Sequence, residues 1–321
     1  MKYVLAPLAD FTDAPFRRLA RECGADLAYT EMVSAAALAH GSSPTRHLME
    51  TMEGEGPVGC QIFGEGESDI AAAARAVPAE RFVELNLNAG CPMPRIMQTG
   101  AGAKLVEDPA KVFRLLVAMR ENCPLPVTLK TRLGPHRDEP RIMELLDAAE
   151  QAGARGITVH ARSTGQKHGG PLDLDLLAEV VRRAKIPVTG NGSVVDAATA
   201  KAMAATGVAA IMVGRAALAR PWIFADLKGA PRPGFLGDDP GVSACARHLG
   251  YILEFRRLLA ERYPGDHVAD EDGFASVKMH THLFRYFSGR PGAAALRARL
   301  NSIRTLAEIR DVIASAASRA C

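Results

Sequence analysis

Short apolar runs alternate with amphipathic stretches from the first residue to about Phe224, and the repetition predicts eight strand-then-helix units. Strands are predicted at Tyr3 to Leu8, Leu27 to Met32, Val58 to Phe63, Val83 to Asn88, Val127 to Leu133, Gly156 to His160, Pro187 to Gly190 and Ala210 to Gly214. Helical periodicity lies between them at Asp69 to Ala76, Pro109 to Arg120, Glu139 to Ala152, Leu174 to Ala184 and Ala197 to Ala205. The strands read as buried and non-alternating, which suits a closed (β/α)8 TIM barrel of the α/β class better than an open sheet. A dinucleotide-binding doubly wound fold lacks its fingerprint: Ala6-Pro7-Leu8-Ala9-Asp10 follows the first strand where a GxGxxG turn would stand.

After Trp222 the texture changes. Ala230-Pro231-Arg232-Pro233-Gly234 and Gly237-Asp238-Asp239-Pro240-Gly241 are rich in turn formers, and helical periodicity then resumes without strands at Ser243 to Arg262, Phe274 to Phe287 and Leu296 to Ala314. The expected organisation is a barrel over residues 1–229, a linker over 230–241 and a small all-helical C-terminal domain over 242–321.

Composition changes this picture little. At 321 residues, 48% hydrophobic and 23% charged, the chain has an ordinary globular balance and no apolar run long enough to span a bilayer. The N-terminal run lacks a signal-peptide layout, so a cytoplasmic location and no membrane partner are expected. Six scattered cysteines form no CxxC pair or metal-type spacing, which argues against a disulfide framework and against zinc. A net charge of +3 does not by itself announce a nucleic acid, although from Ala230 onward 13 Lys and Arg face 10 Asp and Glu.

In such barrels the chemistry sits at the C-terminal ends of the strands, and here those ends are polar. The last two finish in Thr189-Gly190-Asn191-Gly192-Ser193 and Met212-Val213-Gly214-Arg215-Ala216, which point to a phosphate held by backbone N–H groups and the Arg215 fork; tight strand-to-helix turns are the alternative. A phosphate there fits flavin mononucleotide (FMN), with Gln61 on the pyrimidine edge of its ring and Lys130 near its N1/O2 edge. Gln61 could instead cap a loop, and Lys130 could sit in a buried ion pair. His160 ends strand six on the same side, as a ligand-facing group or a satisfied core histidine. Cys91, between Gly90 and Pro92, falls on a turn at the mouth, where a thiol with a reference pKa of about 8.5 is a usable general acid. The other five cysteines read as small buried hydrophobes.

The ordered set of motifs resembles the tRNA-dihydrouridine synthases over nearly the whole chain. It comprises Leu5-Ala6-Pro7-Leu8-Ala9, Thr12-Asp13-Ala14-Pro15-Phe16-Arg17, Thr30-Glu31-Met32-Val33, Gln61-Ile62-Phe63-Gly64, Asn88-Ala89-Gly90-Cys91-Pro92, Leu129-Lys130-Thr131-Arg132-Leu133-Gly134, Val159-His160-Ala161-Arg162, Gly190-Asn191-Gly192 and Val213-Gly214-Arg215-Ala216. The resemblance implies reduction of FMN by NADPH, hydride transfer from N5 to C6 of a tRNA uridine, and protonation of C5 by Cys91. It assigns Pro7, Leu8, Ala9, Gln61, Lys130, His160, Asn191, Gly192, Ser193, Gly214 and Arg215 to FMN. It also implies a helical C-terminal domain that grips tRNA. Asn88, Arg95 and Arg162 at the mouth fall on the substrate side, with Lys278, His282 and Arg285 as an i, i+4, i+7 stripe on the tail.

Two motifs depart from the family pattern: Met93-Pro94-Arg95 stands where Ser-Lys is common, and His160-Ala161-Arg162-Ser163 replaces His-Gly-Arg-Thr. Spacing and the tail, including Val277-Lys278 and Leu300-Asn301, are most similar to the bacterial class acting on uridine-16 of the D-loop. A monomer is expected. The competing readings are an FMN barrel reducing a free pyrimidine, as dihydroorotate dehydrogenases handle one, and a non-catalytic RNA-binding barrel. The helical tail and Arg95 speak against the first; intact Cys91, Lys130, His160 and Arg215 speak against the second.

Overall fold

A computed structural model describes residues 1–289, 297–299 and 302–318 of the chain. Nine parallel strand segments make one sheet: β1 Lys2–Leu5, β2 Leu27–Tyr29, β3 Val33–Ser34, β4 Val58–Phe63, β5 Glu84–Ala89, β6 Val127–Arg132, β7 Ile157–His160, β8 Val188–Asn191 and β9 Ala210–Val213. Their order is β2-β1-β9-β8-β7-β6-β5-β4-β3, and β2 also pairs with β4, so the sheet closes. Both β2 and β3 lie along β4, with Ala28 opposite Val58 and Val33 opposite Ile62, and together occupy one of the eight barrel positions. The expected second strand, Leu27 to Met32, is thus interrupted at Thr30. Its N–H still reaches Gly59 O at 3.0 Å, while its hydroxyl takes the Gln61 N–H at 3.0 Å, a bond a continuous ladder would give to a carbonyl.

The strands do alternate, contrary to the expectation from the sequence. β5 reads Glu84-Leu85-Asn86-Leu87-Asn88-Ala89, and the register aligns Asn86 with Thr128 and Asn88 with Lys130. Residues aligned in parallel ladders share a face, and that face continues through Arg132, His160, Asn191, Met212 and Val4. It lines the barrel interior, polar across β4 to β8 and apolar where Val4, Ala6, Tyr29, Ala210 and Met212 cluster. The other face carries Leu85, Leu87, Leu129, Val159 and Ile211, all fully buried beneath the surrounding helices. A polar lumen with an apolar outer face is the reverse of a half-solvated sheet, and this is why simple hydrophobicity reads as unbroken.

The chain divides into two compact units. One contains Met1–Pro7, Asp26–Glu50 and Pro57–Gly214; the other contains Leu8–Ala25, Thr51–Gly56 and the chain from Arg215 onward. In the second, the helix Ala14–Glu22 shares an apolar core with the helices Pro240–Arg262, Glu271–Phe287 and Leu306–Ser318, built from Leu19, Trp222, Ile252, Leu283 and Ile309 among others. Each of the first three helices is started by an aspartate: Asp13, Asp239 and Asp270 accept N–H groups of Phe16, Gly241 and Gly273. The long helix therefore begins at Pro240, ahead of the expected Ser243, because Pro suits the first helical position. Arg17 Nε meets Glu55 Oε2 at 2.7 Å with both side chains 1% exposed, and its Nη1 donates to Thr12 O. That pair ties Thr51–Gly56 into this unit. No helix of the described residues is long and apolar enough to cross a membrane.

Candidate active site

In the barrel unit, the polar interior row is joined side chain to side chain. Gln61, buried on β4, donates from Nε2 to Asn86 Oδ1 at 2.8 Å and accepts at Oε1 from Asn88 Nδ2 at 2.8 Å. Each atom of that amide keeps one further hydrogen-bonding valence, a spare N–H and a spare lone pair. Asn86 reaches Thr128 Oγ1, and Asn88 Oδ1 accepts the backbone N–H groups of Gly90 and Cys91 at 3.1 and 3.0 Å. Asn88, the last inward residue of β5, thereby shapes the turn that carries the thiol. Cys91 is half-buried, whereas Cys23, Cys60, Cys123 and Cys245 are buried. Burial pushes the Cys23 thiol up to about 12. Cys321 and the Leu300-Asn301 pair lie outside the described residues.

Two elements fix the far side of the thiol turn. Gly102, with φ +61°, lies against it: a Cβ there would sit 2.8 Å from Cys91 O, and Ala103 N–H donates to that same oxygen at 2.9 Å. Arg132, 1% exposed, donates to Gly90 O at 2.7 Å and to Ser163 O and Lys167 O at 3.0 and 2.7 Å. Neither residue was assigned a role from sequence. Gly100-Ala101-Gly102 is the local sequence signal for the first, and the polar strand end Lys130-Thr131-Arg132 for the second.

Among the described residues, no carboxylate pairs with Lys130. Its Nζ meets the Asn191 amide oxygen at 3.4 Å, and burial followed by the nearby Arg132 charge pulls its pKa from 10.5 to about 8. Asn191 is turned by its own bond from Nδ2 to Met212 O at 2.9 Å. His160 is held far below the ordinary histidine range by burial and by Arg132, Lys130 and Arg162, so it is neutral. Both Lys130 and Arg132 lie within electrostatic reach of Cys91. The result is a lumen with an uncompensated cation, a neutral imidazole and amides with spare valences.

The turn after β8 needs its glycines. Gly192 has φ +129°, and a Cβ would lie 2.7 Å from Leu172 Cδ2 and 2.9 Å from His160 Cδ2; at Gly190 it would lie 2.6 Å from Met203 Sδ. Ser193 follows with φ +46° and accepts Arg162 Nη2 at its hydroxyl, 2.9 Å away. Arg162 itself is 4% exposed, and its Nε and Nη2 also hold Gly170 O. Pro7 is half-buried, and Gly214 faces no close atom beyond Ala6 Cβ at 3.7 Å. Arg95 is exposed on the short helix Pro94–Met97, whose first position suits Pro94.

The remaining expected residues belong to the second unit. Leu8 and Ala9 are half-buried in a turn closed by Leu8 N–H on Thr12 Oγ1 at 2.9 Å, and Arg215 is exposed at the start of Arg215–Ala219. Of the stripe on Glu271–Phe287, Lys278 Nζ meets Asp13 Oδ2 at 3.2 Å and Arg285 lies 4.5 Å over the Phe11 ring. His282 is 2% exposed, stacked on Phe16 at 5.0 Å and edge-on to His248 at 4.5 Å, so its ring does not share a solvent face with the other two.

These features fit a flavin: an electron-rich pyrimidine edge would find amide groups and an uncompensated cation, and no carboxylate opposes Lys130. A sequence profile described as dihydrouridine synthase (Dus) matches residues 4–321. The chain belongs to the dihydrouridine synthase family. It is 32% identical over 304 residues to tRNA-dihydrouridine synthase B of Pseudomonas putida, covering 94% of this chain and 86% of that one. It is 30% identical to a probable tRNA-dihydrouridine synthase of Rhodobacter capsulatus, covering 96% and 93% of the two chains. Among solved structures, the family member shares its barrel with morphinone reductase in complex with tetrahydroNAD (TM-score 0.53, 13% identity, 72% of this chain and 87% of that one). It likewise resembles a 2-naphthoyl-CoA reductase (TM-score 0.55, 12% identity, 72% and 50%). These two likenesses concern the fold.

Proposed function

We propose that this chain reduces a uridine of tRNA to 5,6-dihydrouridine, with FMN as cofactor, NADPH as reductant and Cys91 as the proton donor. The observation that carries the reading is the placement of the half-buried Cys91 thiol on a turn held by Asn88, Arg132 and Ala103, beside Lys130. FMN, when bound, would supply a hydride carrying both electrons to C6 of the base, and a proton at C5 completes the reduction. Cys91 Sγ delivers that proton, and its thiolate is then stabilised by the charges of Lys130 and Arg132. In the barrel unit, Gln61, Lys130 and His160 would hold the ring of the cofactor, and Pro7, Asn191, Gly192, Ser193 and Gly214 the rest. Asn88 and Arg162 line the substrate side, and exposed Arg95 meets the RNA backbone. The tail, from residue 242, adds tRNA contacts through Lys278 and Arg285, where Lys278 would exchange Asp13 for phosphate, while the buried His282 packs beneath them.

We infer position 16 of the D-loop as the target, from the spacing of the motifs and the tail. Nucleoside mass spectrometry of tRNA fragments from cells lacking the gene, with and without its restoration, tests this. Loss of dihydrouridine at position 16 that returns on restoration supports it; loss at another D-loop site keeps the reaction and moves the position. Unchanged tRNA, together with turnover of a free pyrimidine by the purified protein, overturns the proposal.

A further inference from the structure

We propose that Thr128 and Glu84 are positioning residues for the Cys91 turn, acting through a one-way hydrogen-bond relay across the barrel interior. The inference deepens the reading of Cys91 as proton donor, although the relay itself is read from geometry alone. Its direction is dictated at the head. Backbone N–H groups only donate, so the Asn88 atom that meets those of Gly90 and Cys91 must be the amide oxygen. The Asn88 NH2 therefore faces Gln61, whose oxygen accepts it at 2.8 Å. That turns the Gln61 NH2 toward Asn86 Oδ1, at 2.8 Å, and the Asn86 NH2 toward Thr128 Oγ1, at 2.8 Å. Having accepted, the Thr128 hydroxyl directs its proton at Glu84 Oε1, 2.8 Å away. Glu84 ends the chain as a carboxylate, which only accepts, and takes the Tyr29 hydroxyl as well.

Every link runs in the same sense, from the Cys91 turn to the carboxylate. No amide in the chain can flip alone without setting donor against donor or acceptor against acceptor, in an interior where Gln61, Asn86 and Asn88 are 0%, 1% and 5% exposed. The Thr128 hydroxyl is the one link that can rotate, and the Asn86 NH2 on one side and the Glu84 carboxylate on the other agree on its sense. Tyr29 is seated against Glu84 by the absence of a side chain at Gly59, where a Cβ would be 2.6 Å from the Tyr29 ring.

The test compares wild type, Thr128→Val and Thr128→Ser without cofactor or RNA, following amide hydrogen exchange in a peptide spanning Gly90 and Cys91 and the alkylation rate of Cys91 by iodoacetamide. Valine keeps the shape of threonine but breaks the relay; serine restores the hydroxyl. Exchange and alkylation are expected to speed up about fivefold or more in Thr128→Val, the scale of one lost hydrogen bond, and to stay within about twofold of wild type in Thr128→Ser. Glu84→Met, which removes the terminal acceptor at similar side-chain length, is expected to speed exchange in the same peptide about fivefold or more if Thr128→Val is too unstable to measure, and an unchanged peptide there overturns the relay. A Thr128→Val protein indistinguishable from wild type at both readouts, or a serine variant as disturbed as the valine one, overturns the relay. Retained dihydrouridine formation by Cys91→Ala would instead overturn the role of the thiol and leave these readouts standing.

Discussion

Replacing Arg132 by Met should be among the most damaging changes available in the barrel. The guanidinium is 1% exposed and holds three backbone carbonyls, Gly90 O, Ser163 O and Lys167 O, at 2.7, 3.0 and 2.7 Å. Removing it strands those acceptors, at about 1–3 kcal/mol for each that water cannot reach. The loops will relax enough to wet one or two of them, which brings the expected loss to about 3–5 kcal/mol, the range for breaking a buried charged group's contacts. Arg132→Lys keeps the charge, but one ammonium cannot fork to two loops, so it should lose roughly 1–3 kcal/mol. Urea denaturation followed by far-UV circular dichroism reads both values from the shift in midpoint. The same variants should slow dihydrouridine formation beyond what their stability explains, because Gly90 O adjoins Cys91. A loss under about 1 kcal/mol for Arg132→Met would refute the account, since it would mean the carbonyls are readily served by solvent.

Lys130, with its pKa lowered to about 8, resists being charged in the folded protein more than in the unfolded chain. The folded state binds fewer protons between about pH 8 and 10.5, so this group adds stability as pH rises through that window and opposes folding below it. Lys130→Met should therefore melt higher than wild type near pH 7 and lose that advantage toward pH 10, and a difference in melting temperature that ignores pH would contradict it. Retention of an anionic cofactor should weaken as wild type passes about pH 8, and less so in Lys130→Arg, as followed by flavin fluorescence. Gly192→Ala forces a side chain into Leu172 and His160 at positive φ and should cut flavin retention about tenfold or more, measured by titration; unchanged binding would remove the need for glycine there. Brief iodoacetamide treatment of the native protein, read by peptide mass spectrometry, should label Cys91 well ahead of Cys23, Cys60, Cys123 and Cys245, and equal labelling of Cys23 would contradict its burial.

The strand-and-helix repeat was open to reading because each unit is local: β4 and the helix Pro109–Asn122 lie within two residues of their predicted bounds. The break at Thr30 was not, since it depends on a hydroxyl meeting a strand thirty-one residues away. The spacing of Lys278, His282 and Arg285 defines a helix face but not what covers it, and Phe16 and His248, which enclose His282, come from distant stretches of chain. Asn88, Cys91 and Lys130 could be picked out as strand-end polar groups. Arg132 stood among them too, but neither its three carbonyls nor the role of Gly102 could be read, because both depend on backbone oxygens brought close by the fold.

The grouping of Leu8–Ala25 with the chain beyond Arg215 has a consequence for how the protein is made. The helix Ala14–Glu22 leaves the ribosome early, yet its partners Glu254 and Arg247, which pair with Arg18 and Glu22, are synthesised more than two hundred residues later. At about 5–20 residues per second that is a wait of roughly ten to forty-five seconds. Throughout it Leu19 and Phe16, both fully buried in the finished protein, lack the late-made core residues and the His248 and His282 rings they pack against. The nascent chain is therefore a natural client for a holding chaperone, and a product stopped near residue 229 would keep that apolar helix face unmated.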